Sequence, residues 1–202
     1  SFAIVRALMG EGGLVLPEDE GQATAIVHIA AGITNIAVVE RGIPRFNRIS
    51  SLAGGTFTQA IANVMNIGFD EAEQLKILVG LPNVETGESD ITPGVNPEQL
   101  QVVHQSLERE VNKFIAEVRR SLDYYLTQTS QVRTIRRIVL TGSGAQLRNL
   151  AIYLEKGLQA QAVVLGDPIE RVSVASGIRQ VVEGDRMGAA TAIGLALGGL
   201  QS

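Results

Sequence analysis

Two glycine-bearing segments, each following a short apolar run, constrain the fold of this chain most. The first is HIAAGIT (residues 28–34) and the second is LTGSGA (residues 140–145). Small residues directly after a strand let backbone amides approach a phosphate or a base closely. One turn of this kind indicates little, but two of them in this order predict two walls of a nucleotide-binding cleft.

Each wall also has a simpler explanation. The first turn is either a phosphate cradle, to which Thr34 adds a hydroxyl, or a plain hairpin turn that needs Gly32 for its φ angle. Gly54 and Gly55 precede a helix-like segment, so they either hold an anion at its N-terminus or serve close packing. The loop at residues 142–144 is not a P-loop, because no Gly-Lys-Ser/Thr sequence follows it.

The remaining polar candidates are few. Glu73 and Lys76, three residues apart on one predicted helix, form either a surface ion pair or a contact with a ribose or base. His28 lies inside an apolar strand and is predicted to be a satisfied core histidine, and it is not at metal-ligand spacing from His104. No arrangement of Ser, His and Asp supports a nucleophile. We therefore assign no catalytic residue and no metal ligand.

Composition excludes several classes of protein. The chain has 202 residues, a formal net charge of −4 and no cysteine. The negative charge argues against a nucleic-acid partner, and the lack of cysteine excludes disulfides and thiol zinc sites. No apolar run reaches the roughly 20 residues that span a bilayer. The first residues lack the charged start and cleavage pattern of a signal peptide.

Periodicity predicts an α/β domain with a helical insertion. Three strands are expected at 24–29, 35–39 and 43–49, with a hairpin at 40–42, and Thr56 is expected to cap a following helix. Helices are predicted over 70–79 and 97–127, with polar loops over 11–22 and 81–96. The C-terminal part is predicted to alternate, with strands at 138–140 and 162–165 and helices at 147–158 and 189–197.

Five segments together resemble the C-terminal half of the actin-like superfamily. They are most similar to the PilM family of type IV pilus assembly proteins, relatives of the cell division protein FtsA. The matching segments are HIAAGITNIAVVERGIPRFNRISSLAGGTFTQAIA, DEAEQLKILVG, FIAEVRRSLDYY, IVLTGSGAQLRNL and AATAIGLAL. The resemblance implies a ribonuclease H-like, actin-like ATPase domain with an inserted, mainly helical subdomain. The actin-like subdomain would take residues 1–66 and 131–202, and the insertion residues 67–130.

The resemblance also implies a nucleotide site between two halves, of which this chain would be the excised second. Gly32 and Thr34 would line the phosphates, beside the glycine pair Gly54 and Gly55. Glu73 and Lys76 would meet the ribose and base, and the adenosine would lie against Gly142, Ser143 and Gly144. The cofactor would be ATP with Mg, bound weakly or not at all by this fragment.

Two departures from the family pattern lie in the first wall. His28 replaces the Asp that positions magnesium and water, and Ala30 replaces a Gly close to the phosphate. A hard cation prefers oxygen ligands, so hydrolysis is not expected. The resemblance then implies a cytoplasmic scaffold peripheral to the inner face of the cell membrane. Its partner would be a PilN-like cytoplasmic tail of a bitopic membrane protein, docking mainly on the missing half, and self-association stays open.

The sequence leaves two alternatives open. One is an FtsA-like division protein that polymerises at the membrane, which would need an amphipathic helix that the C-terminal sequence GGLQS does not supply. The other is an active ATPase of the same fold, which fold alone does not exclude.

Overall fold

The computed structural model describes residues 2–9, 22–83, 93–130, 132, 134–159, 162–169 and 172–199. The predicted loop over 11–22 lies outside these residues except for Gln22, and so does most of the polar segment after the second predicted helix. Among the described residues no helix is both long and apolar enough to cross a bilayer.

The chain forms a five-stranded mixed sheet with helices on both faces. In order the elements are α1 (Phe2–Met9), β1 (Gln22–Ile29), β2 (Thr34–Glu40), β3 (Ile43–Ser50), α2 (Gly54–Met65), α3 (Phe69–Val79), α4 (Pro97–Gln128), β4 (Thr134–Thr141), α5 (Leu150–Leu158), β5 (Val163–Leu165), α6 (Arg179–Gly184) and α7 (Ala190–Gly199). Short 3-10 turns lie at Ser143–Gln146 and Ser176–Ile178.

The strand order is β3-β2-β1-β4-β5. The first three strands form the predicted antiparallel meander, and its hairpin turns through Arg41 and Gly42, both with positive φ. β4 pairs parallel with β1 and with β5. Parallel neighbours place their carboxyl ends at the same sheet edge, so the two glycine-bearing segments leave the sheet side by side.

The central strand is apolar at nearly every position because both of its faces are covered. Alternate residues of β1 pack into the main core with α2, α4 and α5, while Ile26 packs with Val39, Val139 and the apolar side of α1. Such two-sided burial gives a continuous apolar run instead of alternation. α7 lies beside α1, where Arg6 Nη1 donates to the Gly194 carbonyl at 3.0 Å.

The main core lies on the side of the sheet that α2, α4 and α5 cover. It contains residues from all three segments of the predicted domain division. The long helix α4 contributes most of one wall, including Val111, Phe114 and Val118. It begins as the sequence suggests, with Pro97 in its first turn and the Asn96 side chain accepting a hydrogen bond from the Gln99 amide at 2.8 Å. Where independent units begin and end stays a prediction.

Three local expectations were wrong. The N-cap of α2 is Ala53, not Thr56, which lies inside the helix and whose hydroxyl oxygen accepts the Ala53 amide at 3.2 Å. α5 begins at Leu150, not at residue 147, because its N-cap Asn149 has a left-handed backbone conformation that ends the preceding turn. β4 extends back to Thr134 despite Arg136 and Arg137, because pairing with β1 continues along its whole length.

Candidate nucleotide site at the carboxyl edge of the sheet

The second glycine segment packs directly on the end of β1. His28 is paired with Thr141 across the strands. Gly142 has φ +88, and a Cβ there would overlap the Ile29 carbonyl oxygen. A Cβ at Gly144 would lie 2.5 Å from Ile29 Cγ2. The two walls predicted from sequence are therefore adjacent, and both glycines are needed for their contact.

The first turn does not need its glycine for the turn itself. The Ala30 amide donates to the Ile33 carbonyl at 3.0 Å and closes the turn. Gly32 does not have a positive φ, and a Cβ there would meet nothing within 4 Å. The plain-hairpin explanation through the φ angle of Gly32 is therefore wrong. The turn is exposed, and within the described part of the chain the amides of Ala31, Gly32 and Ile33 have no hydrogen-bond acceptor.

Gly54 and Gly55 hold the start of α2 against this turn. Their amides donate to the Ala30 carbonyl at 3.0 Å and to the Ala31 carbonyl at 2.7 Å. A Cβ on Gly55 would lie 2.8 Å from the Ala31 oxygen, and one on Gly54 would lie 3.5 Å from Gly144 Cα. The first two amides of the helix are thus already engaged by backbone carbonyls. This geometry favours close packing over anion binding at the helix N-terminus.

Thr34 is fully buried, and its hydroxyl donates to the Leu52 carbonyl at 2.8 Å. The hydroxyl proton is therefore used to connect β2 to the segment before α2. Its contact with a phosphate stays a prediction. Ser143 is exposed at the start of the 3-10 turn, beside the Gly142 amide, which donates to the Met187 carbonyl at 3.0 Å.

Glu73 and Lys76 do not form the surface ion pair that is the simpler expectation. Lys76 is 7% exposed. Its ammonium lies 2.7 Å from Glu73 Oε2, 2.9 Å from Thr58 Oγ1 and 3.4 Å from the Gly54 carbonyl. The Thr58 hydroxyl also bonds to Glu73. The pair therefore fastens α3 to the start of α2.

Within this network the Glu73 carboxyl is accessible to solvent, since its side chain is 38% exposed. Partial burial alone would raise its pKa, but the hydrogen bonds from Lys76 and Thr58 and the Lys76 charge together lower the pKa below its ordinary value. Glu73 is therefore ionised at neutral pH and offers oxygen acceptors at the cleft, which suits the ribose hydroxyls that the resemblance implies.

Arg148 connects the loop at residues 142–149 to the end of α3, a contact that the sequence did not predict. Its guanidinium donates to the Leu78 carbonyl at 3.0 Å and to the Val79 carbonyl, at the C-terminus of α3. The Arg148 carbonyl accepts the Leu81 amide at 3.1 Å. Gly80, at φ +66, leaves room for the arginine stem. The partners lie about seventy positions apart in sequence, so no local pattern could have indicated this contact.

His28 is buried as predicted, but it is not satisfied. Its residue is 6% exposed, and Nδ1 has no hydrogen-bond partner among the described residues. Burial lowers the pKa of His28, and the negative charge of Asp185 offsets this only in part. The imidazole is therefore neutral at pH 7.

The residues at this edge do not fit Mg²⁺. The described residues include no group of three or more His, Asp or Glu side chains that could hold a metal ion. Oε2 of Glu73 is engaged by Lys76 and Thr58. Asp185 accepts from Gln146 and from the Gly188 amide. Mg²⁺ requires several oxygen ligands in octahedral geometry, and His28 supplies none. That no residue ligates a metal still stays a prediction for the whole protein.

All nine residues predicted for the site belong to segments that meet at this edge. The Ala30–Ile33 turn contacts the start of α2, α2 contacts α3 through Lys76, α3 contacts the 142–149 loop through Arg148, and that loop packs on the end of β1. These contacts form a closed ring of four segments around one end of β1 and β4.

Several known proteins resemble this chain in sequence or in fold. The cell shape-determining protein MreB of Haemophilus influenzae is 24% identical over 183 residues, which are 82% of this chain and 52% of MreB. The PilM-PilN type IV pilus biogenesis complex superposes with a TM-score of 0.73 at 24% identity, covering 98% of this chain and 51% of the matched chain. MreB5 of Spiroplasma citri bound to AMPPNP superposes with a TM-score of 0.62 at 17% identity, covering 97% and 56%.

The fold is therefore that of the actin-like ATPases, and the chain spans about half the length of the relatives it matches. A family model described as type IV pilus assembly protein PilM matches residues 1–200. The chain belongs to the PilM family of type IV pilus assembly proteins.

Proposed function

We propose that this chain is part of a cytoplasmic actin-like scaffold for a type IV pilus or secretion assembly platform. It acts at the inner face of the cell membrane by binding the cytoplasmic tail of a PilN-like bitopic membrane protein. Nucleotide has a structural role or binds weakly, and the protein is not an efficient ATPase. The observation that carries the proposal is the family match over residues 1–200.

The similarity to a chain of the PilM-PilN complex supports the choice of partner. This chain covers 51% of that chain. As the resemblance implies, we expect the tail to dock mainly on the other half. The present half would support that docking by closing one side of the nucleotide cleft.

The first wall of the cleft supports a scaffold over an enzyme. His28 and Ala30 occupy positions where the resemblance implies Asp and Gly, and the carboxylates at this edge are already paired with other side chains or amides. An ATPase needs a cation and a positioned water at the phosphates. The described residues include no group of three or more His, Asp or Glu side chains that could hold the cation.

The test is direct binding of the full-length protein to a fluorescently labelled peptide of the PilN-type cytoplasmic tail. Fluorescence polarisation should show saturable binding, and a scrambled peptide of the same composition should show none. ATP turnover in the same preparation should stay at background. Absence of saturable binding both with and without ATP would sink the scaffold proposal, and clear turnover would favour the ATPase alternative.

A further inference from the structure

We propose that the outer edge of β3, together with the last turns of α4, docks an extended acidic segment of a partner protein that adds a further strand to the sheet. This surface is separate from the function proposed above, since the tail of the PilN-like protein is expected mainly on the other half. Three features carry it: a regular strand edge, a pair of arginines held by one buried carboxylate, and an exposed tyrosine beside them.

β3 is the end strand of the sheet, and part of its outer edge is regular. It pairs with β2, and each of residues 46–50 has a single partner there. The register shift lies closer to the hairpin, next to Pro44. In the described part of the chain, no backbone hydrogen bond outside the helices and strands involves residues 43–50. An edge of this kind offers amides and carbonyls to an incoming strand.

Two arginines beside this edge are oriented by one carboxylate. Glu117 of α4 lies 3.0 Å from the guanidinium of Arg48 on β3 and 2.9 Å from that of Arg120. The Glu117 side chain is 12% exposed, whereas the two arginine side chains are 42% and 70% exposed. The solvent-facing charge is therefore mainly positive. Planar guanidinium groups held in this way suit bidentate recognition of a partner's carboxylates.

An exposed aromatic side chain extends this surface along α4. Tyr124 follows Arg120 by about one helical turn, is more than half exposed, and has its ring centroid 6.1 Å from that of Phe46 on β3. Phe46 also packs against Tyr125, whose hydroxyl bonds to Glu40 at the end of β2. Tyr124 is therefore positioned by packing that exists without a partner. Tyrosine and arginine are among the residues that contribute most to binding at protein interfaces.

The other face of β3 defines the rest of the partner's sequence. Side chains alternate along a strand, so Ile49 lies on the face opposite Arg48, and it is exposed. A strand paired with residues 46–50 would place its side chains alternately beside the arginines and beside Ile49. The fitting occupant is a segment in which Asp or Glu alternates with apolar residues. An anionic membrane would use the charge of this surface but not its strand edge.

The charge of the surface is local. The whole chain has a formal net charge of −4, so an acidic segment is not attracted by the chain in general. Complementary charge at one surface directs encounter and fixes the register of a bound segment more than it adds affinity. We therefore expect binding of an acidic strand to depend on these particular arginines and to weaken as the salt concentration rises.

The experiment titrates the full-length protein into a fluorescein-labelled peptide of alternating glutamate and valine, followed by fluorescence polarisation. Binding should be saturable, and the matching peptide of lysine and valine should not bind. Two further peptides carry N-methyl groups on all glutamates or on all valines. Alternate amides of a strand point to the same edge, so one of these sets faces β3. At least one methylated peptide should therefore bind about tenfold more weakly than the parent.

The double variant Arg48→Gln with Arg120→Gln should also bind the parent peptide about tenfold more weakly. Its matched control is Arg179→Gln with Arg186→Gln. These two arginines are exposed, and Arg186 pairs with Asp167 just after β5, at the opposite end of the strand order. The control removes the same charge and should bind the peptide as the unmodified protein does. Thermal unfolding shows whether each variant is folded, and the peptide comparisons need no variant.

Absence of saturable binding to the glutamate peptide overturns the proposal. Equal affinity for the parent and both methylated peptides overturns it too, because no strand would then be added. Sedimentation with phosphatidylglycerol vesicles and sedimentation velocity of the protein alone test a membrane and a second copy as occupants. If either association occurs without peptide binding and is lost in the Arg48 and Arg120 variant, the surface belongs to that occupant instead.

Discussion

Lys76 shows how much one buried cation contributes at this site. It is 7% exposed and contacts Glu73, Thr58 and the Gly54 carbonyl. Lys76→Met keeps most of the stem but removes the charge, so Glu73 and Thr58 lose their shared donor. Because Glu73 is partly solvated, we expect the free energy of unfolding to fall by about 1–3 kcal/mol, measured by denaturant titration.

The matched control is Lys113→Met. Lys113 also pairs with a glutamate three residues away, at 2.6 Å, but its side chain is 56% exposed. An exposed pair of this kind contributes about 0–1 kcal/mol. If the two substitutions change stability equally, the buried network does not fasten α3 to α2 as described.

At the scale of elements, the Arg148 guanidinium connects the 142–149 loop to the last carbonyls of α3. Arg148→Met removes the donors while keeping much of the stem against Gly80. The carbonyls of Leu78 and Val79 then lose a charged partner at the negative end of the helix. We expect a loss of about 1–2 kcal/mol and faster hydrogen exchange in the last turn of α3.

Arg120→Met is the control for this change. Arg120 is 70% exposed and bonds to Glu117 on its own helix, three residues away. Its removal should change stability by no more than about 0.5 kcal/mol and leave exchange in α3 unchanged. Equal effects of the two arginine variants on α3 would contradict the role assigned to Arg148.

Much of this architecture was readable from local patterns. The meander, the helix over 97–128 and the two glycine segments follow from periodicity and turn residues, which are local properties. Three features depended on partners far away in sequence. Thr56 is not the N-cap because α2 already begins at Gly54, where the Ala30 and Ala31 carbonyls accept the amides of Gly54 and Gly55.

The other two features concern the site. The Glu73–Lys76 spacing indicates an ion pair, but its burial comes from Thr58 and the Gly54 carbonyl on a different helix. The position of His28 in an apolar strand indicates burial, yet the missing partner of Nδ1 is visible only in three dimensions. The sequence predicted the segments of the candidate site, and packing decided which polar atoms in them are already engaged.

At the scale of the whole molecule, the question is whether residues 67–130 behave as a separate unit. Phe114 of α4 is fully buried and meets Phe57 of α2 edge to face, with ring centroids 5.8 Å apart. Both belong to the same core as Val27 of β1. A core that is shared in this way couples α4 to the sheet, so the described residues should open together even if the chain contains an insertion.

Phe114→Ala tests this coupling. The lost burial and the resulting cavity should cost about 3–5 kcal/mol. In native-state hydrogen exchange of the full-length protein, peptides from β1, α2 and α4 should lose protection by the same free energy, since one cooperative unit opens as a whole. Phe2→Ala, at a side chain of α1 that is 69% exposed, should leave all three unchanged. Loss of protection in α4 alone, with β1 unaffected, would show that residues 67–130 fold as an independent subdomain.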